Sequence, residues 1–277
     1  MTARTDSTTD AGARYHVAPG KPARLMERDP ADTSGLPDKE SAKQQLKTDA
    51  KAIDALQDRL YAEGRRALLV ILQGTDTSGK DGTIRKVFND TGPLGVSVTA
   101  FKRPSEDELA HDFLWRTHIA CPRRGAIGIF NRSHYEDVLV GRVRKLAPPA
   151  EIEQRYDQIN AFEKMLTENG TTVLKFMLHI SKNEQRKRLQ DRLDEPQSRW
   201  KFNPGDLDDR KLWEEFERAY ETMLARCSIP WAPWYVIPAD HKWARNAVIA
   251  SIVRSKLEAM DPRYPEVDWD PKTITVE

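Results

Sequence analysis

Five short stretches of the chain are rich in apolar and β-branched residues, and between them apolar residues recur every three or four positions. Residues 67–72, Ala-Leu-Leu-Val-Ile-Leu, are apolar throughout, as expected of a strand buried on both faces. Further strands are predicted at 96–101, 125–130, 172–180 and 234–237. Helical spacing of Leu46, Ile53, Leu56, Leu60 and Tyr61 predicts a helix over 38–64, with Gly64 as its stop. Ile84 and Val87 mark a helix after the first strand, and further helices are expected over 111–118, 151–169, 207–227 and 243–257. In the fourth of these, Leu212, Phe216, Tyr220, Met223 and Leu224 form a stripe that reads as packing. Strands alternating with helices predict an α/β fold of three layers, a parallel sheet covered on both faces. Ligands of such sheets bind at the carboxyl ends of the strands.

Residues 1–37 lack periodicity and are expected to be a flexible amino-terminal arm, leaving 38–277 as a single domain. Of the 277 residues 39% are hydrophobic, enough for one large core. No apolar run approaches the ~20 residues that span a bilayer, and the amino terminus lacks the apolar centre of a signal peptide. A cytoplasmic protein without membrane contact is expected. Cys121 and Cys227 are too few and too far apart for a disulfide framework or a metal knuckle. The net charge of +1 implies no general attraction to nucleic acid. Basic residues nevertheless concentrate between Arg123 and Lys145 and between Lys182 and Lys201, which suggests a focused anion site.

Gly74-Thr-Asp-Thr-Ser-Gly79-Lys80 lies between the first strand and its helix, with the spacing of a phosphate-cradling loop. Glycine backbone at Gly74 and Gly79 can approach phosphate oxygens, and Lys80 adds an ammonium. Two residues depart from the ordinary pattern: Asp76 lies inside the loop, and Asp81 stands where a Ser or Thr usually follows the Lys. A carboxylate beside phosphate is repelled by several kcal/mol at low effective dielectric, and a divalent cation between them reverses the sign. Asp76 is therefore the first candidate ligand for Mg²⁺, directly or through water.

The third strand ends in Asn131-Arg132-Ser-His-Tyr-Glu136, where phosphate-loop enzymes usually carry an Asp for the metal shell. The Asn131 amide can orient a metal-bound water but brings no charge. Arg132 can clamp a phosphate with its planar fork, and Glu136 offers a second carboxylate near metal or nucleotide. Lys102 follows the second strand and adds a cation to the same rim. Arg188 and Arg192 share a helix face four residues apart, in a basic stretch that reads as a lid over bound phosphates. His134 and His241 are read as structural, since transfer to an anionic phosphate oxygen needs little proton chemistry.

Together these motifs resemble the polyphosphate kinase 2 family. The resemblance rests on Gly74-x-Asp-x-x-Gly-Lys-Asp-Gly-Thr83, Phe101-Lys-x-Pro-Ser105, His111-Asp-Phe-Leu-Trp-Arg116, Phe130-Asn-Arg-Ser-His-Tyr-Glu136, Trp200-Lys-Phe202 and Pro238-Ala-Asp-x-Lys-Trp243, and runs from about Leu46 to Pro265. It implies a thymidylate-kinase-like (P-loop kinase) fold with a helical lid at about 182–211. The activity implied is Mg²⁺-dependent transfer of the terminal phosphoryl group of inorganic polyphosphate to nucleotides, in either direction, with Mn²⁺ as the alternative metal. By position, Asp76 resembles the loop Asp that binds metal, Lys80 the loop Lys, Asn131, Arg132 and Glu136 the second motif, and Arg188 and Arg192 the lid. The Asn-Arg-Ser-His-Tyr-Glu form resembles the branch that accepts nucleoside mono- and diphosphates such as AMP and ADP. A homo-oligomer, dimer or tetramer, is expected. The competing readings are an ATP-dependent nucleotide kinase and a phosphate- or nucleotide-sensing module without turnover.

Overall fold

A computed structural model of the chain describes residues 12–276. In chain order the elements are α1 (Lys39–Glu63), β1 (Ala67–Gln73), α2 (Lys80–Val87), β2 (Val96–Ala100), α3 (Glu106–Leu109), α4 (Trp115–Ala120), β3 (Ile127–Asn131) and α5 (Glu136–Val143). There follow α6 (Pro149–Glu168), β4 (Thr171–His179), α7 (Lys182–Asp194), α8 (Gly205–Lys211), α9 (Trp213–Cys227), β5 (Trp234–Pro238) and α10 (Lys242–Met260). Five strands form one parallel sheet in the order β2-β3-β1-β4-β5. Central β1 is buried at every residue, which is why its sequence shows no polar alternation.

Both faces of the sheet are covered. Leu68, Val70 and Leu72 point into a core with α1, α2 and α10, where Ile53, Leu60, Val87, Ile249 and Val253 are buried. Leu69 and Ile71 point into the opposite core, built with Val138 of α5, Ile159 of α6 and Met223 of α9. Successive strand residues alternate between the two cores, as the pleat requires. Asp38 caps α1 by accepting the Glu40 and Ser41 N–H groups, and Gly64 ends it in the left-handed conformation (φ 63°).

Two boundaries differ from the sequence expectation. The helix expected over 207–227 is two helices, α8 and α9, broken at Leu212, and the helix expected over 111–118 begins only at Trp115. The expected flexible arm also needs correction. Its first eleven residues lie outside the described ones, but within residues 12–37 the stretch 15–17 pairs with β5 and Leu25 packs at α9. Val17 N–H donates to the Trp234 carbonyl (2.9 Å) and Val236 N–H to the Tyr15 carbonyl (2.8 Å). Tyr15, Val17, Ala23 and Leu25 are buried, and Glu221 of α9 accepts the Arg24 and Leu25 N–H groups. The segment thus covers what would be an exposed sheet edge. Among the described residues no helix is long and apolar enough to cross a membrane.

Candidate active site

Because the strands are parallel, the segments leaving β1, β2, β3, β4 and β5 meet at one rim. There the Gly74–Lys80 loop turns from β1 into α2. Gly74 has φ 148°, and a Cβ there would come within 2.7 Å of the Leu178 carbonyl. At Gly79 (φ 104°) a Cβ would meet the Arg245 guanidinium at 1.8 Å, so glycine is required by shape as well as by dihedral. Thr77 and Arg132 are non-glycine residues held at positive φ, 65° and 62°. Such conformations persist only where the surroundings fix them. Arg188 Nη1 holds the Thr77 carbonyl at 2.9 Å, and Arg132 N–H is held by the Leu72 carbonyl at 3.0 Å.

At this rim lies a cleft of about 660 Å³. Asp76, Gly79, Lys80, Lys102, Asn131, Arg132, Arg188 and Arg192 all line it, so most of the residues singled out in the sequence converge here. Gly74 and Glu136 instead line a smaller cavity of about 60 Å³ behind the loop, walled by Trp213, Phe216 and Tyr220 of α9. Arg132 and Asp76, joined by an ion pair, border both cavities and divide them. Gln73, fully buried at the end of β1, fixes Glu136 from behind: its amide donates to Glu136 Oε1 (2.9 Å) and accepts from the Ser133 N–H (3.2 Å).

The electrostatics follow from burial. Desolvation takes the Lys80 ammonium down to about 8, the nearby Arg132 charge adds to this, and Asp76, Glu136 and Asp81 oppose it. Lys80 meanwhile donates to the Gly74 (2.7 Å) and Thr75 (3.2 Å) carbonyls. Burial pushes Glu136 above the usual carboxylate range against the pull of Arg132 and Lys80. For Arg132, burial disfavours the charge, but Asp76 and Glu136 outweigh it and the guanidinium is held charged. Asp206 of α8 reaches into the cleft and rises to about 6, through burial and then repulsion by Asp76; Arg192 lies 3.4 Å from it.

A pH dependence follows for Lys80. Its folded value lies below the unfolded one of 10.5, so the charged form is a cost to the free fold that is relieved as pH rises from about 8. Function runs the other way, because an anion needs the ammonium. We expect kcat/KM to fall along an alkaline limb near pH 8, which Lys80→Arg removes. A profile flat from about pH 7 to 9 would contradict that assignment.

Arg188 does not reach into the cleft as a free cation. Its guanidinium donates to the Thr77, Ser78, Ala239 and Asp240 carbonyls and to Glu184, and so braces the loop from beneath. Arg192 is less committed, donating to the Lys201 carbonyl and pairing with Asp206. His134 is fully buried behind the cleft, and His241 is exposed ahead of α10; neither lines either cavity. One contributor, Arg245, escaped the sequence reading, and so did the partner of Asp81. Arg245, 2% exposed, donates to the Ser78 carbonyl (3.0 Å) from the first turn of α10, and burial lowers it to about 9. Asp81 accepts a 2.6 Å hydrogen bond from Asn131 Nδ2. The signal for Arg245 was its place just after β5, where that strand also delivers Lys242 to the rim.

A cleft around a glycine loop, lined by eight Lys and Arg side chains against five carboxylates, suits binding and transfer of phosphate groups. Comparison with known proteins agrees. The family model described as Polyphosphate kinase 2 (PPK2) matches residues 36–265. A protein of Meiothermus ruber named AMP/ADP-polyphosphate phosphotransferase is 48% identical over 265 residues, covering 95% of this chain and 99% of that one. An ADP-polyphosphate phosphotransferase of Rhodopseudomonas palustris is 42% identical, covering 82% and 83%. The crystal structure of polyphosphate kinase 2 from Arthrobacter aurescens TC1 superposes with a TM-score of 0.92 at 40% identity, over 95% of this chain and 94% of that one. A match of this extent, carried by a cleft where the phosphate loop and the strand ends meet at one rim, means that the chain belongs to the polyphosphate kinase 2 family.

Proposed function

We propose that this protein transfers the terminal phosphoryl group of inorganic polyphosphate to AMP and ADP, and the reverse. The observation that carries the reading is the Arg132–Asp76 pair dividing two cavities beside the phosphate loop, in a family whose members are named for this reaction. A terminal oxygen of the acceptor phosphate forms the new P–O bond. The bond from the terminal phosphorus to its bridging oxygen breaks, and that oxygen leaves as the new anionic end of the shortened chain. No proton has to move, since the attacking oxygen is already anionic near neutral pH. Catalysis is then positioning and charge stabilisation.

Each residue has a part in that scheme. The loop N–H groups and Lys80 hold the transferring group. Arg132 spans both cavities and is placed to neutralise charge as the group passes between donor and acceptor. Arg188 and Arg245 keep the loop in shape by holding its outward carbonyls. Arg192, Lys102 and Lys201 give the open cleft its charge for a polyanionic chain. Glu136, raised by burial and joined to Gln73, helps Asp76 to hold the Arg132 charge.

The residues present fit a divalent cation held by few protein ligands. Among the described residues no group of three or more His, Cys, Asp or Glu side chains forms a metal cage. Mg²⁺ at phosphoryl-transfer sites takes one or two carboxylates, completing its shell with phosphate oxygens and water. Asp76 and Asp81 line the cleft and would hold the ion, Mg²⁺ or Mn²⁺. When bound it supplies neutralisation of the phosphate oxygens around the reacting phosphorus. We place the reaction in the cytoplasm, where nucleotides are kept and where Cys121 and Cys227 remain thiols.

The test compares donors. Purified protein with Mg²⁺ and ADP is expected to form ATP from polyphosphate. With AMP it is expected to form ADP at a higher rate from polyphosphate than from ATP. A strict requirement for ATP as donor would replace this reading with that of an ordinary nucleotide kinase.

A further inference from the structure

The 2.6 Å hydrogen bond from Asn131 Nδ2 to Asp81 Oδ1 joins the last residue of β3 to the second residue of α2. Both side chains line the main cleft beside Lys80 and Arg132. In ordinary phosphate-loop enzymes these two positions hold the reverse chemistry. A Ser or Thr hydroxyl follows the loop Lys, an Asp ends the neighbouring strand, and the two hold the metal together. Here the strand position carries the neutral group and the helix position carries the charge.

Resting on the reading of this cleft as the transfer site, we propose that Asp81 and Asn131 are an exchanged pair. Asp81 is the carboxylate that joins Asp76 in serving the transferred phosphate's cation, and Asn131 is the positioning residue that aims it.

Three features of the structure support the exchange. Asn131 cannot drift, because its backbone pairs with Leu72 and Ala100 in the sheet and its carbonyl accepts the Phe101 N–H at 3.0 Å. Its amide can donate to a carboxylate, whereas an Asp there would set two carboxylates 2.6 Å apart, which repel or share one proton. Asp81 itself is exposed in the first turn of α2, so its charge is tolerated at a helix start without serving the core. Once the carboxylate stands on the helix, an amide is what the strand end requires. The reading of Asp76 as sole replacement for the strand acid is thereby revised: the acid has a closer substitute across a single hydrogen bond.

The test reads Mn²⁺ binding by electron paramagnetic resonance with ADP present and no polyphosphate, so that no turnover intervenes. D81N is expected to weaken Mn²⁺ well over ~10-fold, and N131A, which removes only the aiming donor, about 10-fold. The double variant D81N/N131D, which returns the acid to the strand, is expected to bind within about 3-fold of the unchanged protein. D81N binding like the unchanged protein would overturn the proposal, and so would a double variant no better than D81N. Asp81 is exposed, so D81N alone keeps the test decisive if the double variant does not fold. Turnover of the unchanged protein with polyphosphate and ADP is measured in parallel. If it is absent, the function proposed above falls; if it is present while the Mn²⁺ series fails, only the exchanged pair falls.

Discussion

Arg132→Met is expected to lower kcat at least ~10³-fold, the range seen when an arginine that neutralises a phosphoryl-transfer transition state is removed. The guanidinium is the cation common to both cavities, and Asp76 and Glu136 hold it charged despite its burial. Its loss also leaves Asp76 without its ion-pair partner on the wall of a cleft that must accept a polyanion. Arg132→Lys should recover little, because an ammonium cannot reproduce the planar fork that reaches the carboxylate and a phosphate together. Single-turnover kinetics at saturating substrate separate this from a binding defect. A variant retaining more than about a tenth of the rate would mean that Arg132 only assists binding.

Lys175→Met should produce the largest loss of stability, about 3–5 kcal/mol, because it strands a buried carboxylate. Lys175 is the charged residue within β4, fully buried, with Nζ 2.5 Å from Glu163 Oε2 and 2.8 Å from both the Tyr135 hydroxyl and the Cys227 carbonyl. Tyr135 in turn donates to Glu163 Oε1 at 2.7 Å, and His134 Nε2 lies 3.4 Å from the same oxygen without hydrogen-bond alignment. Burial opposes the Glu163 charge, but Lys175 and His134 outweigh it and hold the carboxyl below its ordinary 4.5. That stabilisation is complete above 4.5 and is lost as pH falls through the depressed folded value. Replacing both members by apolar residues, Lys175→Met with Glu163→Leu, should restore most of the loss. Urea unfolding of the single and double variants measures it. A single variant costing under about 1 kcal/mol would show that Glu163 is neutralised in another way.

The order of strands and helices was legible because β1, β3 and β4 carry apolar runs without alternation, which only a sheet covered on both faces requires. The phosphate loop was legible for a related reason: its chemistry lies in seven consecutive residues, and glycine positions declare a backbone need. What the sequence hid was side-chain direction between distant segments. Helical spacing put Arg188 and Arg192 on one face, yet could not say that Arg188 would meet the Thr77 and Ser78 carbonyls while Arg192 faced the cleft. Asp81 and Asn131 are fifty positions apart, and only the pairing of β3 with β1 brings them together. Residues 12–37 looked loose because Tyr15, Val17 and Leu25 follow no period; each is buried singly against β5 or α9, a fit that periodicity does not register. The break at Leu212 carries no Gly or Pro to announce it.

The central claim is that phosphorus passes from polyphosphate to a nucleotide in this cleft. It is tested most directly by incubating the purified protein and Mg²⁺ with AMP and polyphosphate labelled with ³²P, and following the label. The account predicts label appearing first in ADP and then in ATP, with both formed at least ~10³-fold more slowly by the Arg132→Met variant. Folded protein that leaves all label in polyphosphate, with AMP or with ADP as acceptor, would contradict it.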